Sequence, residues 1–273
     1  MQQSDFIEAS PLGDQSNYVT EYAPELLFPI PRNTPWQPEF SERPFYGIDV
    51  WNAFEVSWLN KKGLPQMAIA EFRIPADSPN IVESKSFKLY LNSFNQTKLK
   101  SAAQAQARMV KDLSKAAGAE VEVSLFDIEH QAMDVQPTPG ANIDNQDIEI
   151  HTYTPDASLL SANPASYRTE ILSSNLLKSN CPVTGQPDWA TLIVEYEGPT
   201  IDRAGLLAYV VSYREHGDFH EQCVEQIFLD IKAQCKPGQL TVYARYVRRG
   251  GLDINPYRST RPVTPSNHRT QRQ

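Results

Sequence analysis

The sequence predicts an α+β protein built from two modules in tandem. Three observations support this class: segments of strand length with alternating apolar residues, two longer stretches with helical spacing, and a polar, proline-containing interruption between the halves. The 273 residues suffice for two domains of ordinary size. We therefore predict a first module at residues 46–130, a linker at 131–165 and a second module at 166–262.

The first module begins with a predicted hairpin. Residues 46–59 and 67–74 have the composition of strands, and residues 60–63 (NKKG) are typical of a turn. From Ser101, apolar residues recur every three or four positions, as in a helix. Gly118 stands where a helix commonly ends, and residues 121–125 alternate as a further strand.

The sequence of the second module predicts the same order of hairpin, helix and strand. In the predicted helix, Cys223 and Cys235 fall on the apolar face, which favours a packing role for both thiols. The predicted segments are strands at residues 192–196, 206–213 and 240–247, a turn at residues 197–200, and a helix from Phe219.

The remaining segments are predicted to be irregular. Seven of the 21 prolines lie within the first 44 residues, which excludes a long helix and predicts an extended arm at residues 1–45. A short alternation at residues 148–150 predicts one edge strand in the linker. We expect residues 263–273, which follow an arginine-rich stretch, to form a mobile tail.

Composition excludes several classes of function. The 33 acidic and 25 basic residues give a formal net charge of -8, which argues against general adhesion to nucleic-acid phosphates or anionic lipid. The apolar runs are shorter than the roughly 20 residues of a membrane span. The first residues lack the pattern of a secretion signal, and three cysteines are too few for a disulfide framework. We expect a cytoplasmic protein with no direct nucleic-acid or membrane partner.

The first candidate for chemistry is Cys181, in the segment CPVTGQPD at residues 181–188. The cysteine lies outside any periodic segment, and a carboxyl group follows at Asp188, so the pair resembles a nucleophile with a proton donor. The alternative is a packed free thiol and an aspartate that serves as a turn residue or helix cap. The local pattern favours neither interpretation.

A metal site finds little support in the spacing of possible ligands. The chain has no Cys-x-x-Cys, His-x-x-x-His or His-Glu-x-x-His pattern, and its five histidines are dispersed. Convergence of Cys181, Cys223 and His220 in space would give a set of zinc ligands, but nothing in their spacing requires it.

Three further segments each have a structural and a functional interpretation. Residues 83–90 (ESKSFKLY) are either the start of a solvated helix or an anion site at a helix N-terminus. In residues 219–221 (FHE), the glutamate either stabilises a helix start or binds the amidine-like edge of a purine. Residues 248–251 (RRGG) are either a simple turn or a phosphate clamp.

Together these segments resemble the nitrile oxidoreductases called 7-cyano-7-deazaguanine reductases, in their two-module form. Residues 83–90 match the whole family signature, and residues 181–188, 219–221 and 249–250 follow in the family's order. The resemblance runs from about residue 20 to residue 262. It implies two tandem modules of the tunnelling fold (T-fold), in which antiparallel sheets pack against helices.

The resemblance also implies a reaction. The substrate would be preQ0, a deazaguanine that carries a nitrile, reduced by two NADPH to the aminomethyl compound preQ1 on the route to queuosine in tRNA. Cys181 would add to the nitrile carbon to give a covalent thioimide, and Asp188 would supply the proton. The implied substrate-binding residues are Val82, Glu83, Ser84, His220 and Glu221.

For the cofactor, no Gly-x-Gly-x-x-Gly follows a predicted strand, so a Rossmann module is not supported. The resemblance implies instead that NADPH meets Ser84, Lys85, Arg249 and Gly250. The positive side chains of Lys85 and Arg249 would favour its extra phosphate. It implies no metal. We expect both modules to be needed for activity, and a homodimer as the assembly.

Two rival functions remain. A cyclohydrolase-like T-fold enzyme would open a purine ring with zinc, but it needs histidine and cysteine ligands that this chain does not plainly offer. An RNA-binding protein would use the arginine-rich end, and the overall acidity argues against it.

Overall fold

The computed structural model describes residues 19–32, 43–129 and 134–273, and the chain divides into two compact units. Most of the predicted arm lies outside the described residues. Both units contain antiparallel strands and helices, so the predicted α+β class is confirmed. The described residues of the first unit are 19–32, 49–129 and 248–253, and those of the second are 43–48, 134–247 and 254–273.

The first unit follows the predicted order closely, because its strands and helices carry clear periodicity and end at turn or cap residues. Ser101 caps the longer helix through its side chain, and Gly118 ends that helix at a φ of 73°. The strands are β1 (Pro29–Pro31), β2 (Tyr46–Leu59), β3 (Pro65–Pro75), β4 (Asn80–Val82) and β5 (Glu122–Phe126), and the helices are α1 (Ser84–Asn92) and α2 (Ala102–Ala117).

The core of the first unit is built around Phe87 of helix α1. Its ring lies 5.1 Å from that of Trp51 on β2 and 4.9 Å from that of Phe72 on β3. Strands β5, β3 and β2 are neighbours in that order, and β1 and β4 form a separate antiparallel pair. Apolar burial of Phe87 therefore fixes helix α1, and with it the segment 83–90, against the sheet of this unit.

The second unit contains a long hairpin, two helices and three further strands. Strands are neighbours in the order β10, β9, β8, β7, β6; all these pairs are antiparallel except the parallel β6–β7 pair. The strands are β6 (Ala141–Asn142), β7 (Ala162–Asn180), β8 (Pro187–Ile201), β9 (Gln239–Tyr246) and β10 (Leu252–Ser259), and the helices are α3 (Arg203–Ser212) and α4 (His220–Cys235).

The prediction of a strand at residues 206–213 is wrong, because helix α3 covers most of this segment. An apolar run rich in leucine and valine does not distinguish a buried strand from a buried helix. The deciding feature is Asp202, whose side chain accepts hydrogen bonds from the backbone N–H groups of Ala204 and Gly205 and so caps the helix.

Two other predictions for this half are also wrong. Residues 197–200, predicted as a turn, lie within strand β8, where they pair with β7. The edge strand predicted at residues 148–150 is absent, and the short edge strand is β6 instead. With these corrections both units contain the same order of hairpin, two helices and strand.

The end of the chain packs on strand β9, in contrast to the mobile tail that we expected. Gln273 is 6% exposed, and its side chain donates to the backbone carbonyl of Tyr246 and accepts from the Arg245 guanidinium at 2.9 Å. No helix in the described part of the chain is long and apolar enough to cross a membrane.

Gly140, which precedes strand β6, should tolerate no side chain. Its φ is 80°, and an added Cβ would lie 2.3 Å from the carbonyl oxygen of Ile171. We expect Gly140→Ala to lower the free energy of unfolding by about 3 kcal/mol through strain and overpacking. Gly185→Ala is the control, because Gly185 has a φ of 67° and open space at its Cβ. Its cost should be about 1 kcal/mol, and equal losses in urea unfolding would contradict this account.

Candidate active site

Cys181 lies directly after strand β7, in the loop that joins β7 to β8. Ser179 pairs with Asp188, and Asn180 pairs with Pro187. The backbone N–H of Cys181 donates to the Gln186 carbonyl at 2.8 Å, so the same register continues one residue beyond the strands. Cys181 and Asp188 are therefore diagonal neighbours on one face, a relation that in regular antiparallel pairs places two residues about 7–8 Å apart, with their Cβ atoms somewhat closer.

The loop keeps Cys181 accessible. The Gly185 N–H donates to the Cys181 carbonyl at 3.0 Å, and Gly185 adopts a positive φ that closes the turn. Cys181 is half-buried, whereas Cys223 and Cys235 are buried. Of the three thiols, Cys181 is thus the one that a substrate can reach most easily.

The N-terminus of helix α4 lies beside this loop. The Asn180 N–H donates to the His216 carbonyl at 2.7 Å, and the Asp218 N–H donates to the Asn180 carbonyl at 3.2 Å. These two bonds join the residue before Cys181 to the segment that leads into α4. The helix begins with His220 and Glu221, so both residues are brought to the Cys181 end of the hairpin.

His220 and Asp188 form a close pair. Nε2 of His220 lies 3.2 Å from Oδ2 of Asp188, with the two side chains 11% and 3% exposed. Glu221 is 3% exposed. The second unit therefore brings together four of the predicted site residues: Cys181, Asp188, His220 and Glu221.

A buried layer lies under this pair. The Cys223 thiol lies near the hydroxyl groups of Ser179 and Tyr246, which are buried and have no hydrogen-bond partner among the described residues. Burial raises the pKa of Cys223 well above its usual value, and the negative charges of Asp218 and Asp188 add to the effect. Cys223 therefore stays protonated and is a poor nucleophile, as its place on the apolar face of the predicted helix suggested.

The other predicted residues lie in the first unit. Val82 and Glu83 are buried, and Ser84 and Lys85 are half-buried. The Glu83 carboxylate accepts hydrogen bonds from the N–H groups of Lys85 at 2.8 Å and Ser86 at 2.7 Å. Glu83 thus caps helix α1 and occupies the helix N-terminus that the sequence suggested as an anion site. Burial raises the pKa of the Glu83 carboxyl above its ordinary value.

Arg249 and Gly250 belong to a tight turn in the same unit. The Arg249 N–H donates to the Leu252 carbonyl at 2.8 Å, and the Leu252 N–H donates back at 3.0 Å. Gly250 has a φ of 55°, with no atom within 4 Å of the position of a Cβ. A ligand can therefore approach the backbone of this turn closely. Among the described residues, no group of three histidine, cysteine or acidic side chains converges in a way that could hold a metal ion.

Fold and site define an α+β protein with an accessible loop cysteine beside a buried aspartate and histidine. Residues 18–125 match the family described as "Nitrile reductase, 7-cyano-7-deazaguanine-reductase N-term", and residues 187–264 match "QueF-like protein". The chain belongs to this family, the 7-cyano-7-deazaguanine reductases, in the two-module form, which confirms the resemblance stated above.

A solved structure is also similar to part of the chain. It is described as "Crystal structure of the archaeosine synthase QueF-Like in the apo form". The two are 20% identical over 37% of this chain and 97% of that chain, with a TM-score of 0.30. The family matches include Asp188 but not Cys181, which lies between the two matched ranges.

Sequence reasoning did not find Ser179 or Tyr246. Ser179 had a signal in retrospect, because it stands two positions before Cys181 and so shares its face of the strand. Tyr246 had none, since it resembles any other aromatic residue in an alternating strand and approaches His220 only through the packing of β9 against α4.

Glu83→Gln should reveal the raised pKa of Glu83. A carboxyl group whose pKa is higher in the folded state than in the unfolded chain stabilises the fold at low pH. That contribution falls as the pH rises from about 4.5 through the raised folded pKa. The amide of the variant keeps an oxygen acceptor for the cap without the charge.

We therefore expect the stability of the variant, relative to wild type, to increase from pH 5 to pH 8 in chemical denaturation. Glu122→Gln, at an exposed strand position of the same unit, separates the effect of burial from that of losing one charge. A relative stability that stays constant or falls with pH would count against a raised pKa at Glu83.

Proposed function

We propose that the protein reduces the nitrile of preQ0 to the aminomethyl group of preQ1, with Cys181 as a covalent nucleophile. Family membership supports the nitrile reductase class. The observation that carries the mechanism is the continuation of the β7–β8 register to Cys181, which sets an accessible thiol diagonally across from a buried carboxyl group.

The first step is addition of the Cys181 sulfur to the nitrile carbon. A carbon–sulfur bond forms, one π bond of the nitrile becomes a lone pair on nitrogen, and that nitrogen takes up a proton. The thiol loses a proton, so addition consumes none overall, and the product is a thioimide. Covalent attachment divides a four-electron reduction into two hydride steps, which is the usual gain from nucleophilic catalysis.

Asp188 is the proposed carrier of that proton. Its side chain is 3% exposed and lies 3.2 Å from His220 at the N-terminus of helix α4, so it is largely shielded from bulk water. It can accept the proton of the thiol and return it to the nitrile nitrogen, so one group serves as base and then as acid.

The proposed substrate-binding residues are two buried glutamates and three neighbouring side chains. Glu221 is the proposed partner for the N–H donors of the guanine-like edge, because a carboxylate accepts two adjacent hydrogen bonds well. By resemblance Glu83 has the same role, which would require it to give up at least one bond of its present cap. The remaining proposed contacts are from Val82, Ser84 and His220.

NADPH is the proposed hydride donor, and the described residues of the first unit fit it. Lys85 and Arg249 provide the cations that a 2′-phosphate prefers, Gly250 leaves its backbone open to close approach, and Ser84 offers a hydroxyl. When bound, two NADPH in succession supply the two hydrides, while two protons are taken up and the thiol is regenerated. The homodimer and the cytoplasmic location remain predictions; sedimentation of the purified chain would test the first.

Incubation of the protein with preQ0 in the absence of NADPH should give a covalent adduct. Intact-mass spectra should show an increase equal to the mass of one preQ0 molecule, because addition loses no atoms. Cys181→Ala should show no adduct.

Cys235→Ala is the matched control, since this thiol is buried at the far end of helix α4 and should not affect the adduct. An adduct that forms as readily in Cys181→Ala as in wild type would overturn the assignment of the nucleophile. No adduct in the wild-type protein would overturn the proposed function.

Discrimination between NADPH and NADH should depend on Lys85 and Arg249. A charge-assisted hydrogen bond contributes about 1.5–3 kcal/mol, so Lys85→Ala and Arg249→Ala should each raise the KM for NADPH roughly 10- to 100-fold. The KM for NADH should change little, because NADH lacks the 2′-phosphate. Lys88→Ala is the control, since Lys88 pairs with Glu55. Equal effects on the two cofactors would show that these side chains do not contact the phosphate.

A further inference from the structure

The imidazole of His220 lies flat against the ring of Tyr246. The ring centroids are 3.7 Å apart and the planes differ by 2°. Aromatic pairs in proteins more often adopt offset or edge-to-face arrangements with centroids about 4.5–7 Å apart. A parallel pair at this distance leaves the imidazole little freedom to tilt.

The surroundings of the two ring nitrogens differ. Nε2 lies 3.2 Å from the Asp188 carboxylate. Nδ1 is buried and has no hydrogen-bond partner among the described residues. A proton on Nδ1 would be a buried donor without an acceptor, which costs about 1–3 kcal/mol, whereas a proton on Nε2 has the carboxylate as its acceptor.

Tyr246 is itself held rigidly. It is completely buried, and its backbone N–H donates to the Asn255 side chain at 3.1 Å. Its carbonyl accepts from the Gln273 side chain at 3.2 Å, and its Cα pairs with that of Ala190 on strand β8. Since Asp188 is two residues before Ala190 on β8, one strand pair sets the distance between the tyrosine ring and the carboxylate.

We propose that Tyr246 is a positioning residue that holds His220 as the neutral Nε2–H tautomer, so that His220 donates a hydrogen bond to Asp188. The inference rests on the proposed function for its catalytic consequence, but the tautomer itself does not. His220 then orients the carboxyl group that carries the proton and does not release a proton of its own. Tyr246 contributes through the face of its ring, and its hydroxyl group, which is buried without a hydrogen-bond partner among the described residues, is not required.

The tautomer can be observed directly by nitrogen NMR of protein labelled at histidine, without substrate and at neutral pH. The His220 signals are assigned by their loss in His220→Asn. We expect a protonated, pyrrole-type Nε2 and an unprotonated, pyridine-type Nδ1. A protonated Nδ1, in either the other tautomer or the imidazolium, would overturn the proposal whatever the protein catalyses.

Two substitutions of Tyr246 then distinguish the contribution of its ring from that of its hydroxyl group. Tyr246→Phe keeps the ring and should keep both the nitrogen signature and kcat. Tyr246→Leu removes the ring and should give a mixture of tautomers, with kcat lowered roughly tenfold and the KM for preQ0 changed less than about threefold. Loss of the signature in Tyr246→Phe, or a wild-type signature and kcat in Tyr246→Leu, would each contradict the proposal.

Tyr243→Leu is the matched control, because Tyr243 is a buried tyrosine of the same strand, three positions away and on its opposite face. It should reproduce any general cost of losing a buried ring while leaving the His220 signals unchanged. If Tyr246→Leu does not fold, the wild-type and Tyr246→Phe spectra still decide the tautomer. A wild-type protein that forms no preQ0 adduct but shows the expected signals would refute the proposed function and leave the tautomer established.

Discussion

The candidate active site depends on the register of one hairpin. Strands β7 and β8 are 19 and 15 residues long, and their pairing carries through to the hydrogen bond between Cys181 and Gln186. A slip of one residue would turn Asp188 to the opposite face of the strand and separate it from both Cys181 and His220. The length of the hairpin resists such a slip, because every inward-facing residue along it would have to leave the core. Leu172, Leu192 and Val194 are among them, each no more than 1% exposed.

In the same site, a half-buried thiol lies beside supporting groups that are more deeply buried. Cys181 is held in a turn where it is half-buried, while Asp188 and Glu221 are almost completely enclosed. Low exposure makes the electrostatic interactions of Asp188, His220 and Glu221 stronger than they would be in water, and it makes any unpaired polar group expensive. The parallel stack of Tyr246 on His220 matters in this setting, because rotation of the imidazole would move Nε2 away from the Asp188 carboxylate.

The parts of the fold that the sequence predicted well are those where periodicity and termini agree. Helix α2 has apolar residues at helical spacing between Ser101 and Gly118, both of which serve as caps. Helix α3 was mistaken for a strand because its residues are apolar on nearly every side, and its cap at Asp202 was not recognised. The sequence identifies Cys181 as a loop thiol. Its position relative to Asp188 depends on the register of the hairpin, because the two residues become diagonal neighbours only when β7 and β8 pair. The stack of Tyr246 on His220 depends on contacts 26 positions apart, which no local pattern encodes.

The central claim is that a bond forms between the Cys181 sulfur and the nitrile carbon of preQ0. Carbon NMR of preQ0 labelled at the nitrile carbon, bound to the protein without NADPH, observes that atom itself. The account predicts that the nitrile resonance disappears and is replaced by one in the range of a thioimide carbon. A nitrile resonance that persists unchanged in the bound state would show that the substrate is held without a covalent bond, and would contradict the account.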